Sequence, residues 1–314
     1  MIISASRRTD IPAFYSEWLI NRLRAGEVLY PNPWNPKRFY RVALAPGHVD
    51  CIVFWTKNPG PMLERLGALD ELGYNYYFSF TITAYGQDLE PGLPRKAEVL
   101  DTFLRLAERL GPRRVDWRFD PVAISAARPL DWHLERFRFI CERLGGATER
   151  CIVNFIKSYR HIARRLALVP GMAAEMDGPA IRAAVLAFQA LAAEYALPLY
   201  TCTEREELRD LPVKGCACID KEKIAAITGS ALKIKKDSGQ PKNCNCVESA
   251  DIGMYGTCAH GCVYCYANGS EDALRRRIAG HRSESPVLTG RPDVRTVIAE
   301  RTRPSHKETQ LKLC

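Results

Sequence analysis

Apolar, β-branched and aromatic residues gather in short runs along the chain. Longer stretches between them carry apolar positions three and four residues apart. The runs predict strands over 2–6, 51–56, 76–83, 115–122, 151–156 and 199–203. The spaced stretches predict helices near 15–24, 61–72, 95–110, 130–144 and 179–195, with Leu104, Leu106 and Leu110 showing the spacing. Strands alternating with helices imply a parallel sheet joined by right-handed crossovers. Six such units in some two hundred residues favour an α/β fold of the full or partial (β/α) barrel type over an open dinucleotide-binding sheet. No G-x-G-x-x-G follows the first strand.

The polar positions are as regular as the apolar ones. The first strand runs into Arg7, Arg8 and Asp10, and the second into Lys57 and Asn58. The third carries Thr81 and Thr83, the fourth Arg118 and Asp120, the fifth Asn154 and Lys157, and the sixth Thr201, Cys202 and Glu204. Any strand must leave into a polar loop. Six in succession ending this way fit the rule that barrels build their sites at the carboxyl ends of strands.

Composition sharpens the picture in three places. The chain has 314 residues, 46% of them hydrophobic, enough for one large core. No apolar run reaches membrane-spanning length, and the first residues read as a strand rather than a leader, so a cytoplasmic protein is expected. The net charge of +9 hints at an anionic partner. The arginines are scattered, however, and gather only at Arg275, Arg276, Arg277 and after Arg282. No basic stripe interleaved with aromatics marks a nucleic-acid groove, and charged helix faces are the ordinary account.

The third feature is the cysteines. Of twelve, seven fall between Cys216 and Cys265, with Cys202 just upstream. In a reducing compartment, clustered thiols point to metal or catalysis. Cys258, Cys262 and Cys265 are spaced C-x3-C-x2-C among glycines and aromatics, with Tyr264 before the third. Three thiolates on one loop can hold a small cluster with one metal position left open. A structural zinc completed by His260 is the alternative, although zinc ligands usually come as two pairs on separate knuckles. Upstream, Cys216, Cys218, Cys244 and Cys246 form two C-x-C pairs around a basic link over 233–242. With Cys202 they offer five thiolates for a second centre, iron–sulfur or zinc.

The three-cysteine spacing with Tyr264 resembles the signature of radical S-adenosylmethionine enzymes. The chain around it resembles the domain of unknown function 1848 family, most closely over 244–268. The resemblance implies a 4Fe-4S cluster on Cys258, Cys262 and Cys265 that binds S-adenosylmethionine and cleaves it to a 5′-deoxyadenosyl radical. It also picks Cys202, Cys218, Cys244 and Cys246 as ligands of an auxiliary cluster. In such enzymes the three-cysteine loop usually follows the first barrel strand; here it stands at the far end. A strand over 250–255 before it and a helix over 271–278 after it imply a permuted barrel, with 250–255 beside 2–6. In that register Arg8, Arg118 and Lys157 are candidates for the methionine carboxylate, Thr81 and Thr83 for the ribose, and Tyr264 for the cofactor shell. The expected organisation is barrel units in 1–205, an auxiliary-cluster segment in 206–250, the three-cysteine loop and its helix in 251–280, and a polar tail in 281–314. An electron donor such as flavodoxin or ferredoxin is implied. The substrate is open between a nucleic-acid base, a peptide side chain and a small anionic metabolite. The rival class is a non-radical zinc or iron–sulfur protein that binds nucleic acid.

Overall fold

The structure is a computed structural model, and it describes residues 1–157, 159–160, 162–172, 175–293 and 295–308. Eleven strands are defined: β1 (Ile2–Ala5), β2 (Glu27–Asn32), β3 (Asn35–Ala43), β4 (Cys51–Thr56), β5 (Tyr76–Thr81), β6 (Val115–Val122), β7 (Cys151–Phe155), β8 (Leu199–Thr201), β9 (Lys214–Gly215), β10 (Ala250–Asp251) and β11 (Val297–Glu300). Eight of them form one sheet in the order β10-β1-β4-β5-β6-β7-β8-β9. Every neighbouring pair in it is parallel. From β1 to β9 the order follows the sequence, so the chain winds one way throughout. β10 then returns to lie beside β1, with Ile3 opposite Ala250 and Ser4 opposite Asp251. The sheet is open: β9 and β10 are its two edges, and no closed barrel forms among the described residues.

Successive side chains of a strand point to opposite faces, and the two faces here bury different things. Ile3, Phe54, Phe78, Trp117 and Val153 pack with Val99, Phe103, Phe137 and Phe188 of the helices Lys96–Leu110, Leu130–Leu144 and Gly178–Glu194. Ile2, Val53 and Tyr77 face the other way and pack with Cys218, Ile219, Cys246 and Val247. Burial on both faces explains why strands such as Cys51–Thr56 read as near-continuous apolar runs. It also shows that the cysteine-rich segment shares a core with the sheet and covers its second face.

Three expectations change in detail. The strand expected over 250–255 is only Ala250–Asp251, and the chain turns at Gly256, whose φ is +68°. Three prolines (Pro31, Pro33, Pro36) hid the antiparallel pair β2–β3. The polar tail does wrap the outside, and it adds β11 parallel to β3, with Val287 buried against Leu29 and Phe39.

A buried ion network ties the cysteine-rich segment to the strands. The Asp116 carboxylate, 1% exposed, accepts from Arg150 Nε at 2.8 Å and Nη2 at 2.7 Å and from Lys223 Nζ at 2.5 Å. Arg150 Nη1 reaches Asp220 at 2.7 Å, and Asp220 caps the helix Lys221–Thr228. Removing one charge from a buried set leaves the others uncompensated. Asp116→Asn is expected to cost about 3 kcal/mol, read from the urea midpoint, whereas Arg138→Gln at an exposed pair with Glu194 should leave that midpoint almost unmoved. Equal losses would show that the buried network does not anchor the segment.

Candidate metal centre

Alternation along the strands decides what stands over the carboxyl ends of the sheet. Ser6, Trp55, Thr81, Arg118 and Asn154 are in phase with the face that the cysteine-rich segment covers, and they line a cavity of about 400 Å³. Seven cysteines share its wall: Cys202, Cys218, Cys244 and Cys246 on one side of the motif count, and Cys258, Cys262 and Cys265 on the other. Cys216 is buried but does not line it. The eleven described cysteines are all unbridged; Cys314 lies outside the described residues.

The three-cysteine loop is placed by one carboxylate. Asp251, at the end of β10, accepts from Ser4 Oγ at 3.0 Å, Ser6 Oγ at 2.6 Å, Arg7 N at 2.9 Å and Gly253 N at 3.1 Å. Gly253 then passes so close to β1 that a Cβ there would lie 2.1 Å from Ser6 Oγ. On the far side, Gly92 N donates to His260 O at 2.9 Å, and a Cβ on Gly92 would meet that oxygen at 2.7 Å. Asn268 Nδ2 closes the loop on Cys258 O at 2.7 Å, and Arg165 Nη2 holds the carbonyls of Cys265 and Asn268. Ala267 N points at Cys265 Sγ, 3.4 Å away. Burial pushes Cys258 and Cys265 up, and Cys262 up to about 12 against the pull of Lys57. Without a metal these three are neutral thiols.

The sequence candidates divide. Tyr264 is buried and its hydroxyl donates to Glu90; Thr83 does the same at 2.7 Å and does not line the cavity. Arg118 is committed to Cys218 Sγ at 2.8 Å and to Asp120, so it belongs to the second thiol set. Thr83 and Arg118 thus have partners already in place, and Arg118 lines the cavity. Thr81, Arg8 and Lys157 do line the cavity. Arg8 lies over the Tyr255 ring at 5.4 Å and donates to the carbonyls of Asp251 and Gly253. His260, the candidate zinc ligand, has Nε2 2.8 Å from Asp10 and Nδ1 3.4 Å from Gly92 O. Both ring nitrogens are thus taken.

In the second set, Cys202 Sγ and Cys218 Sγ are 3.5 Å apart, and Ile219 N donates to Cys246 Sγ at 3.4 Å. Hydrogen bonds from the thiols of Cys202, Cys216 and Cys246 pull Cys218 well down, with Arg118 adding to them. A hydrogen bond from Cys246 holds Cys244 down at about 6. Among the described residues no three His, Cys, Asp or Glu side chains converge as they would on a single ion. A cubane is gripped by thiolates spread around a core several atoms wide, so its ligands need not converge in that way.

Sequence reasoning missed Glu90, the most buried acid of the site at 1% exposed. It lies in the loop after β5, with nothing in its neighbours to mark it. Burial alone would raise its pKa, but Lys57 at 2.8 Å, Lys96 at 3.5 Å and the Tyr264 hydroxyl outweigh this and hold it at about 2. Trp55 was also missed, although its in-phase position was legible, and Arg7 was named only among the polar strand ends.

The fold and cavity define an α/β protein with a singly wound parallel sheet and a thiol-lined site at its carboxyl edge. A family profile described as Domain of unknown function (DUF1848) matches residues 2–267, and the chain belongs to that family. No curated protein matches the sequence. Among solved structures, a candidate alpha-L-fucosidase from Bacteroides thetaiotaomicron is 10% identical and has a TM-score of 0.24. The match covers 57% of this chain and 72% of that one, a likeness too low to inform the fold.

Glu90 supplies a pH test. A carboxylate with a depressed folded pKa stabilises the protein above its ordinary value near 4.5 and loses that contribution as pH falls towards 2. The contribution is on the order of 3 kcal/mol. Glu90→Gln should unfold in less urea at pH 7 and show a shallower stability loss over the acid range than the parent. Parallel curves for the two proteins would mean that Glu90 titrates normally.

Proposed function

We propose that the chain is a radical S-adenosylmethionine enzyme whose three-cysteine loop has moved to the end of the sequence. The observation that carries this is the placement of Cys258, Cys262 and Cys265, three unbridged thiols after a short strand beside β1, at the carboxyl ends of a singly wound sheet. That strand order is the one a permuted partial barrel of this class needs. The donor set fits a cluster with one open metal position: three soft sulfurs, with the fourth candidate, His260, occupied by Asp10. When bound, such a cluster supplies the electron that cleaves S-adenosylmethionine to methionine and a 5′-deoxyadenosyl radical.

The chain's own residues have narrower tasks. Backbone N–H donation to Cys265 Sγ and the Asn268 and Arg165 contacts fix the loop. Arg8 and Lys157 are the cavity cations suited to a carboxylate, and Thr81 is the hydroxyl suited to a ribose. Tyr264 and Thr83 act at one remove, by holding Glu90 and through it Lys57, whose ammonium lies 5.6 Å from the Tyr264 ring centre. Substrate enters the same cavity, and an external one-electron donor is required.

Anaerobic reconstitution with iron and sulfide, followed by electron paramagnetic resonance with and without S-adenosylmethionine, tests the reading. The spectrum should change on adding the cofactor, and dithionite should then yield 5′-deoxyadenosine even without substrate. Cys258→Ala, Cys262→Ala and Cys265→Ala together should remove about half the iron and all of the cleavage. An iron-replete protein whose spectrum ignores the cofactor and which releases no 5′-deoxyadenosine would sink the proposal.

A further inference from the structure

Two arginines beside the second thiol set converge on one aromatic ring and on the sulfurs beyond it. The Arg7 guanidinium lies over the Trp55 indole, 5.1 Å from its centre, and Arg118 lies 5.3 Å from the same ring. Arg118 has Asp120 as a counter-ion. Arg7 has no ion-pair partner among the described residues: Asp251 takes only its backbone N–H, at 2.9 Å, and the buried Nη2 makes no hydrogen bond. Trp55 Nε1, between them, is buried and unpartnered too. Arg7 is partly buried, and its closed-off, unpartnered Nη2 favours negative charge beside it. The groups that act on Arg7 are Cys246 and Cys218 along with Asp251, and Arg118 donates directly to Cys218 Sγ at 2.8 Å. Four thiolates around a dipositive metal core carry roughly two negative charges, and a third when the core is reduced.

We propose that Arg7 and Arg118 are the counter-cations of an iron–sulfur centre held by Cys202, Cys218, Cys244 and Cys246, and that they raise its reduction potential. The inference rests on the reading of the chain as an iron–sulfur protein but not on S-adenosylmethionine cleavage. The physical reason is direct. A hydrogen bond to a ligand sulfur and a nearby positive charge both stabilise the more negative, reduced state. Arg118 supplies both through one nitrogen, while Arg7 supplies charge alone from across the indole. Their work is on the centre and not on substrate, so they are positioning residues. A zinc ion in the same thiolates has no second oxidation state and would leave the two arginines with no redox role.

The test is a potentiometric titration of the reconstituted full-length protein, followed by electron paramagnetic resonance. The second centre is identified as the signal that survives Cys258→Ala, Cys262→Ala and Cys265→Ala together and disappears in Cys244→Ala with Cys246→Ala. Arg118→Gln and Arg7→Gln should each keep the iron of this centre and lower its reduced-to-oxidised ratio at fixed potential by about tenfold. Arg118→Lys, which keeps the charge, should shift it less. The signal that responds to S-adenosylmethionine should not move. If Arg118→Gln loses the centre through misfolding, seen by circular dichroism, Arg7→Gln carries the test. Zinc in place of iron at these cysteines, or an unmoved potential in the glutamine variants, overturns the proposal. Failure of cofactor cleavage alone would overturn only the broader enzymatic reading.

Discussion

The Asp251 carboxylate is the joint on which the site depends. Four donors, Ser4, Ser6, the Arg7 backbone and the Gly253 backbone, meet on its two oxygens. Charge-assisted bonds of this kind are about twice as strong as neutral ones, and here they join two segments some 245 residues apart in sequence. β10 offers only two residues of pairing, too little to set its place by itself. With Asp251 fixed, the close passage of Gly253 over Ser6 follows, and with it the start of the three-cysteine loop.

Above that joint the chemistry is sorted by strand periodicity. One face of the sheet holds aromatic and aliphatic side chains against helices. The other changes along each strand from apolar (Val53, Tyr77) to polar or aromatic (Trp55, Thr81, Arg118, Asn154) as it nears the cavity. The cysteine-rich segment lies against the apolar part and brings its thiols to the polar part. Two sets of sulfur and a cluster of buried ions therefore share one wall. The Lys57–Glu90–Lys96 group lies beneath the three-cysteine loop, and the Arg7–Trp55–Arg118 group lies beside the other set.

Much of this was legible in the sequence because the signals were periodic or compact. The six main strands and the helices between them followed from apolar spacing, and the return of the last strand to the first followed from needing a strand before the cysteine loop. What was not legible has physical causes. β9 and β10 are two residues each, too short to show a period. β2 and β3 are interrupted by proline, and β11 has a largely exposed pattern. Thr83 looked free because a strand end says nothing of the acid that will meet it. Glu90 was invisible for the same reason: a loop glutamate becomes a buried ion only through partners from elsewhere in the chain.

The position of β10 also has a consequence for biosynthesis. Domains assemble as the chain leaves the ribosome, amino end first. β1 is made some 245 residues before the neighbour on one of its edges. Throughout translation that edge of the sheet stays unpaired, and Ser4 and Ser6 have no carboxylate to meet. The cavity cannot close, nor can its seven cysteines stand together, until Asn268 has been added to tether Cys258. Any metal held by these cysteines together would therefore be taken up only after residue 268 has been made.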